Sequence, residues 1–251
     1  MDEQQQRWTE IEHLPAWDEE FYHVYTAKKF GKWVMLKTLR PELADNADAK
    51  AMIEKEFDVR YNLAHPNIIM INDFEDVPGI GRCIITDDVY GDSLRKLIDN
   101  HQLTAEHIKK LKTSLPSALK YIQENHIIHH PIRPERIIFT ENVGNLKLID
   151  VGFDQSNALS PHDTAEDIYN YGIIVLEALE SSGVHDPTLR HVAERCISAD
   201  PKRRYKTIDA LQLAIDHRSG TRLYIMVIVF LLIMIALLIW LMSPYAPTPV
   251  K

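Results

Sequence analysis

Ile128-His-His-Pro-Ile-Arg-Pro-Glu-Arg-Ile137, followed by Leu148-Ile-Asp-Val-Gly152, divides a 251-residue chain into two unlike halves. The apolar runs that border this loop, Ile127-Ile128 and Ile137–Leu148, read as short strands. His126, His129 and His130 crowd the loop and suggest a metal cluster. No cysteine stands among them, so a metal site is the weaker reading.

Toward the N-terminus the chain reads as strands around one helix. Tyr22–Ala27 and Lys32–Leu39 alternate like half-buried strands, with Phe30-Gly31 as the turn between them. Asn46 or Asp45 caps a helix through about Leu63, with Met52, Ile53 and Phe57 on its apolar face. His65-Pro66-Asn67 ends it, and Ile68–Phe74 and Arg82–Asp87 follow as strands. Thr104 opens a helix with Ile108, Leu111, Leu115, Leu119 and Ile122 at spacings of three and four, and Pro116 should kink it. Toward the C-terminus, Glu166–Ser181 is a strongly apolar helix. Asp186-Pro187 caps another with proline at its first position, and Thr207 caps a last one.

That last helix runs into Leu223–Met242, 20 residues without a charge, Gly or Pro. At 1.5 Å per residue it spans about 30 Å, the thickness of a bilayer's hydrocarbon core. Its 14 Leu, Ile, Val and Phe residues favour insertion by about 4 to 8 kcal/mol. The expectation is a transmembrane helix, with membrane lipid as its partner. Arg203, Arg204, Lys206, Arg218 and Arg222 precede it, against Lys251 alone after it. This bias places the large N-terminal part in the cytoplasm and exports the C-terminus, a single-pass topology. Cys83 and Cys196 have no short-range partner, as in a reducing compartment. A net charge of −8 makes nucleic acid an unsuitable partner.

In order and spacing, the residues between about Phe21 and His217 resemble the eukaryotic-type protein kinase family, of Ser/Thr type. Val34-Met-Leu-Lys37 resembles the strand carrying the phosphate-binding lysine, and Glu56 sits where the family's helix glutamate pairs with it. Ile84-Ile-Thr-Asp87 and Gly91-Asp-Ser-Leu94 resemble the strand and hinge joining the lobes, with Thr86 at the gatekeeper position. The opening stretch follows the catalytic loop, and Leu148–Gly152 the metal-binding turn. Asp167-Ile-Tyr-Asn-Tyr-Gly172 resembles the helix that supports the catalytic loop. Asp200-Pro-Lys-Arg-Arg204 resembles the late motif whose arginine braces the activation segment. The resemblance implies an α+β, two-lobed fold: an N-terminal segment at 1–20, an N-lobe at 21–88 and a C-lobe at 89–217. The anchor at 223–242 and a tail at 243–251 follow.

The departures from that family remove its chemistry. Phosphoryl transfer needs a phosphate cradle, metal ligands and a group that positions the attacking hydroxyl. The cradle should be rich in glycine, yet Trp17-Asp-Glu-Glu-Phe-Tyr-His-Val24 has none and carries three carboxylates, which reads as a solvated acidic turn. The catalytic aspartate falls on Pro131, which can neither accept a proton nor orient a hydroxyl. Arg136 replaces the asparagine ligand for the second metal, and a cation cannot ligate a cation. The stretch between Asp150 and Asp167 is too short for a normal activation segment and contains no Ala-Pro-Glu. Met35 replaces the usual alanine and should intrude on an adenine pocket. Lys37, Glu56, Asp150 and Thr86 survive as a residual nucleotide site for ATP. The structural alternative is a Lys37–Glu56 ion pair that locks helix to sheet, with Asp150 as a hydrogen-bond acceptor. The expectation is a membrane-anchored pseudokinase with no catalytic residues, no metal and no required cofactor, which binds protein partners at the cytoplasmic face. The alternatives are a weakly active Ser/Thr-type kinase with a non-standard catalytic set and, less suited to Ile132–Glu135, an aminoglycoside-type phosphotransferase.

Overall fold

The structure is a computed structural model. It describes residues 7–127, 131–141, 144–149 and 161–242; the side chains of 16, 161–163, 217–225 and 240–242 lie outside that description. The N-terminal part is a five-stranded antiparallel sheet of β1 (Trp8–His13), β2 (Tyr22–Lys29), β3 (Lys32–Leu39), β4 (Ile71–Val77) and β5 (Gly81–Asp87). Their spatial order is β1-β2-β3-β5-β4. Helix α1 (Ala47–Arg60) lies between β3 and β4 in the chain.

The β2–β3 hairpin shows how local chemistry sets the register. Lys29 pairs with Lys32, leaving Phe30-Gly31 as a two-residue turn with φ of +51° and +80°. Two positive φ values give the turn whose twist matches the flanking strands, which favours glycine at one of them. With the register fixed, side chains alternate between the faces of the sheet. Val34 and Leu36 join Trp8, Ala27, Val77, Cys83 and Ile85 on one face. Tyr22, Leu39, Ile71 and Ile84 pack against Ala49 and Ile53 of α1 on the other. Lys37, an even number of residues from Leu39, therefore points toward α1. Of the two cap candidates, Asn46 is the one used: its side chain accepts from the amides of Asp48 and Ala49, a cap typically contributing about 1 kcal/mol.

The C-terminal part contains β6 (Gly91–Ser93), α2 (Leu94–Asp99), α3 (Ala105–Glu124), β7 (Ile137–Thr140), β8 (Leu146–Leu148), α4 (Pro161–Ser182), α5 (Pro187–Cys196) and α6 (Ile208–Met242). One core built from α2 to α6 and β7–β8 fills it. Thr104 and His107 form a reciprocal capping box at the start of α3. Asp186 and Thr207 cap α5 and α6 through the amides of Leu189 and Ala210. Gly172 of α4 lies so close to α5 that an added Cβ would sit 2.7 Å from Cys196 Cβ.

Several boundaries differ from the sequence expectation. Residues 8–13 form β1, an edge strand whose only fully buried residue is Trp8 and whose pairing is interrupted between Thr9 and Glu12. The strand expected at Ile68–Phe74 begins at Ile71, because the chain before it bridges to Leu148 of β8, with Ile69 N donating to Leu148 O and Leu148 N to Asn67 O, and Ile68 is buried in the core of the helical part. Asn67 adds a bond from its side-chain amide to Leu146 O, so the His65-Pro66-Asn67 turn stitches the two parts together. Ile127 is buried but in no strand. Despite Pro116, α3 is one helix, with Leu111, Leu115, Leu119 and Ile122 all in the core. Helix α4 starts at Pro161 rather than Glu166.

The expected transmembrane helix Leu223–Met242 meets a plain finding: among the described residues, no helix is long and apolar enough to cross a membrane. The backbone of α6 is helical throughout Ile208–Met242. Its uninterrupted run of described apolar side chains covers only Met226–Ile239, which at 1.5 Å per residue is about 21 Å.

Candidate functional site

The cleft beneath the sheet brings together residues from β2, β3, α1, β5 and the loop before β2. Lys37 Nζ lies 3.1 Å from Glu56 Oε1 and 2.8 Å from Glu19 Oε2. It also stands 4.2 Å above the Tyr22 ring, a favourable place for a cation. One helical turn beyond Glu56, Arg60 Nη1 donates to Glu56 Oε1 at 2.6 Å. The side chains of Glu56 and Arg60 are only 1% and 4% exposed. Burial pushes the Glu56 carboxyl up, but Lys37 and Arg60 outweigh it and hold its pKa below the ordinary value. Burial, and then the charge of Glu56, raise the Tyr22 phenol well above its usual range.

Glu19 reaches Lys37 because the acidic loop is folded inward. The Glu19 amide donates to Tyr22 O at 3.0 Å, and Leu14 N donates to Val24 O at 2.8 Å. Arg40 Nε and Nη2 donate to Glu19 O at 3.2 and 2.9 Å. Asp18 Oδ1 accepts from the Val24 amide at 3.0 Å. The reading of Trp17–Val24 as a solvated turn is therefore corrected for Asp18 and Glu19, whose side chains are mostly covered. Glu20 and Phe21 remain exposed. The physical reason is that opposite charges attract: the Glu19 carboxylate turns in to the Lys37 ammonium, and the Asp18 carboxylate to the Val24 amide and two histidines.

The cavity that remains is about 40 Å³, lined by Trp17, Glu19, Met35, Lys37, Thr86, Arg136 and Ile149 among others. Small-molecule sites commonly measure about 300–1,000 Å³. Met35 and Thr86 are direct partners across β3 and β5, and both line this space. The Arg136 guanidinium lies 5.9 Å from the centre of the Trp17 ring. Trp17 and Glu19 thus stand on one side of this small space, with Lys37, Thr86 and Arg136 around it.

The other expected site residues lie outside this cluster. Pro131 is exposed. Glu135, the acid closest to it in sequence, bonds Arg95 at 3.0 Å. Glu19 is the one acid among the described cavity-lining residues, and it is already bound to Lys37. Asp150, His129 and His130 lie outside the described residues, and with them the expected metal turn and histidine cluster. Arg204, whose counterpart braces the activation segment in the resembled family, donates to Ser198 O at 2.8 Å and stacks 4.9 Å from the Tyr169 ring. Sequence reasoning missed Arg60, which reads as an ordinary exposed helix residue. The placement of Glu19 was signalled only by the density of carboxylates where a glycine loop belongs.

Residues 20–164 match the protein kinase domain family. The chain belongs to that family. Among curated relatives, serine/threonine-protein kinase 36 of Pongo abelii is 24% identical over 62% of this chain, and that of Mus musculus 24% over 76%. The chain spans only 14% and 16% of the lengths of those two relatives. Serine/threonine-protein kinase Aurora-2 of Arabidopsis thaliana is 24% identical, with 79% of this chain and 80% of the relative aligned. Among solved structures, the Mycobacterium tuberculosis PknI kinase domain superposes with a TM-score of 0.61 at 19% identity, covering 84% of this chain and 96% of that one. That likeness shows a shared two-lobed kinase fold.

Proposed function

We propose that this kinase-family protein is a pseudokinase: a kinase-like domain that no longer transfers phosphate and serves as a binding or scaffolding module for protein partners. The observation that carries the reading is the engagement of Lys37 by Glu19 as well as Glu56. An ammonium that should meet the phosphates of ATP already has two carboxylates, and a third anionic group would be repelled by the nearer of them. Pro131 and Arg136 add a missing proton acceptor and a cation in place of a metal ligand.

The module is held at the cytoplasmic face of a membrane by the C-terminal half of α6. Three features support this: the uncharged run Leu223–Met242, a backbone that stays helical to Met242, and exposure of every described side chain from Met226 to Ile239. A helix apolar all round, with its described side chains exposed, is stable in lipid rather than in water.

The alternative, a weakly active Ser/Thr-type kinase, draws on the Lys37–Glu56 pair, which active kinases also require. The two readings separate in a transfer assay with the full chain in detergent, labelled ATP and magnesium or manganese. The expected result is no phosphate transfer to the protein or to generic substrates above a Lys37→Ala background. Pro131→Asp alone should not restore transfer, because Glu19 and Arg136 remain. Transfer by the wild type that Lys37→Ala abolishes would overturn the pseudokinase reading.

A further inference from the structure

The loop that delivers Glu19 carries a second cluster on its outer side. His13 ends β1, His23 follows the first residue of β2, and Asp18 lies between them. His13 Nε2 is 3.0 Å from Asp18 Oδ1, and His23 Nδ1 is 2.8 Å from Asp18 Oδ2. The two imidazoles meet edge to face, with centroids 4.7 Å apart and planes at 79°. One ligand atom from each of the three residues lies within 4.8 Å of the other two. The Val24 amide orients the carboxylate, and the Tyr25 ring packs 4.9 Å from that of His13.

We propose that His13, Asp18 and His23 form a binding site for a zinc-class divalent cation. Two imidazoles and one carboxylate make a donor set of intermediate softness, suited to Zn²⁺ and poorly suited to Mg²⁺. With bonds of about 2.0–2.2 Å, ligand atoms on a tetrahedral zinc stand about 3.3–3.6 Å apart, so the two histidine–aspartate separations need widen by only a few tenths of an ångström. Each neutral imidazole then presents its lone pair to the metal and keeps its proton on the other ring nitrogen. Partial exposure of His13 leaves the fourth position to water. Without metal, the same three groups hold one another by hydrogen bonds, as they do here. The five-residue spacing of the ligands matches no linear metal motif. The hairpin register, with His13 opposite Tyr25, brings them together. Because Asp18 adjoins Glu19, a bound cation would tie the loop to the β1–β2 hairpin with Glu19 on Lys37.

The test is calorimetric titration of ZnCl₂ into the metal-free full chain in detergent, with MgCl₂ in parallel. The expected result is one zinc per chain and no heat from magnesium. His13→Gln and His23→Gln should each weaken zinc binding about tenfold or more, and His126→Ala should leave it unchanged. Cobalt loading of the wild type, which requires no variant to fold, should give the visible absorption of a tetrahedral nitrogen–oxygen site. No stoichiometric zinc uptake by the wild type, or uptake unaffected by both histidine variants, would overturn the proposal.

Discussion

Replacing Glu56 with alanine removes the one carboxylate shared by Lys37 and Arg60, and its cost can be worked out partner by partner. Lys37 retains Glu19 at 2.8 Å, so most of the damage falls on Arg60, a guanidinium only 4% exposed. Leaving one member of a buried pair uncompensated costs about 3–5 kcal/mol. For a domain of this size each kcal/mol shifts the melting temperature by about 2–4 °C, so a drop of about 6–20 °C is expected. Arg60→Leu should cost less, because Glu56 keeps Lys37 and the methylenes of leucine fill part of the space. The double variant Glu56→Ala/Arg60→Leu should then lose less than the sum of the singles by about 1–3 kcal/mol. Chemical or thermal unfolding of the full chain in detergent, followed by circular dichroism, reads all three. A drop below about 2 °C in Glu56→Ala, or single effects that add to within about 0.5 kcal/mol, would refute the claim that this triad holds α1 to the sheet.

Because the folded pKa of Glu56 is held below its ordinary 4.5, its ion pairing contributes fully above that value and is lost as pH falls through the lower folded one. A plot of unfolding free energy against pH should therefore fall more steeply on its acid side for the wild type than for Glu56→Gln. The family resemblance puts Arg136 and Asp150 where metal ligands converge, and the pseudokinase proposal expects them to pair with each other in place of a metal. Each alanine variant should lower the melting temperature, the double variant should lose less than the sum, and magnesium should give the wild type no shift; strict additivity would contradict this. In sealed cells, a tag after Lys251 should be cut by external protease while the kinase-like domain stays protected. A protected tag would contradict the proposed topology.

The features most legible in the sequence were those set by local rules. The alternation of Lys32–Leu39, the Phe30-Gly31 turn and the caps at Asn46, Thr104, Asp186 and Thr207 all follow from residue-level preferences, and the structure uses each of them. The Lys37–Glu56 pair was legible through the family resemblance, since spacing alone cannot place a strand lysine against a helix glutamate. Features that depend on tertiary placement were hidden. β1 carries charged residues on an edge strand and buries little beyond Trp8, so it reads as loop. Ile68 and Ile69 look like strand residues of the sheet, but their partner is Leu148, far along the chain. Arg60 looks exposed by composition and is buried because Glu56 is one turn away. Asp18 and Glu19 stand where the resembled family has its glycine-rich loop; that they fold inward is set by the loop's hydrogen bonds and by Lys37.

The central claim is that the nucleotide site is closed by the protein's own carboxylates, and calorimetric titration of magnesium–ATP into the wild-type full chain tests it most directly. The account predicts no saturable binding up to about 1 mM nucleotide, a range where even a weak site of about 4 kcal/mol would begin to fill. Stoichiometric binding at micromolar nucleotide that disappears in Lys37→Ala would contradict it.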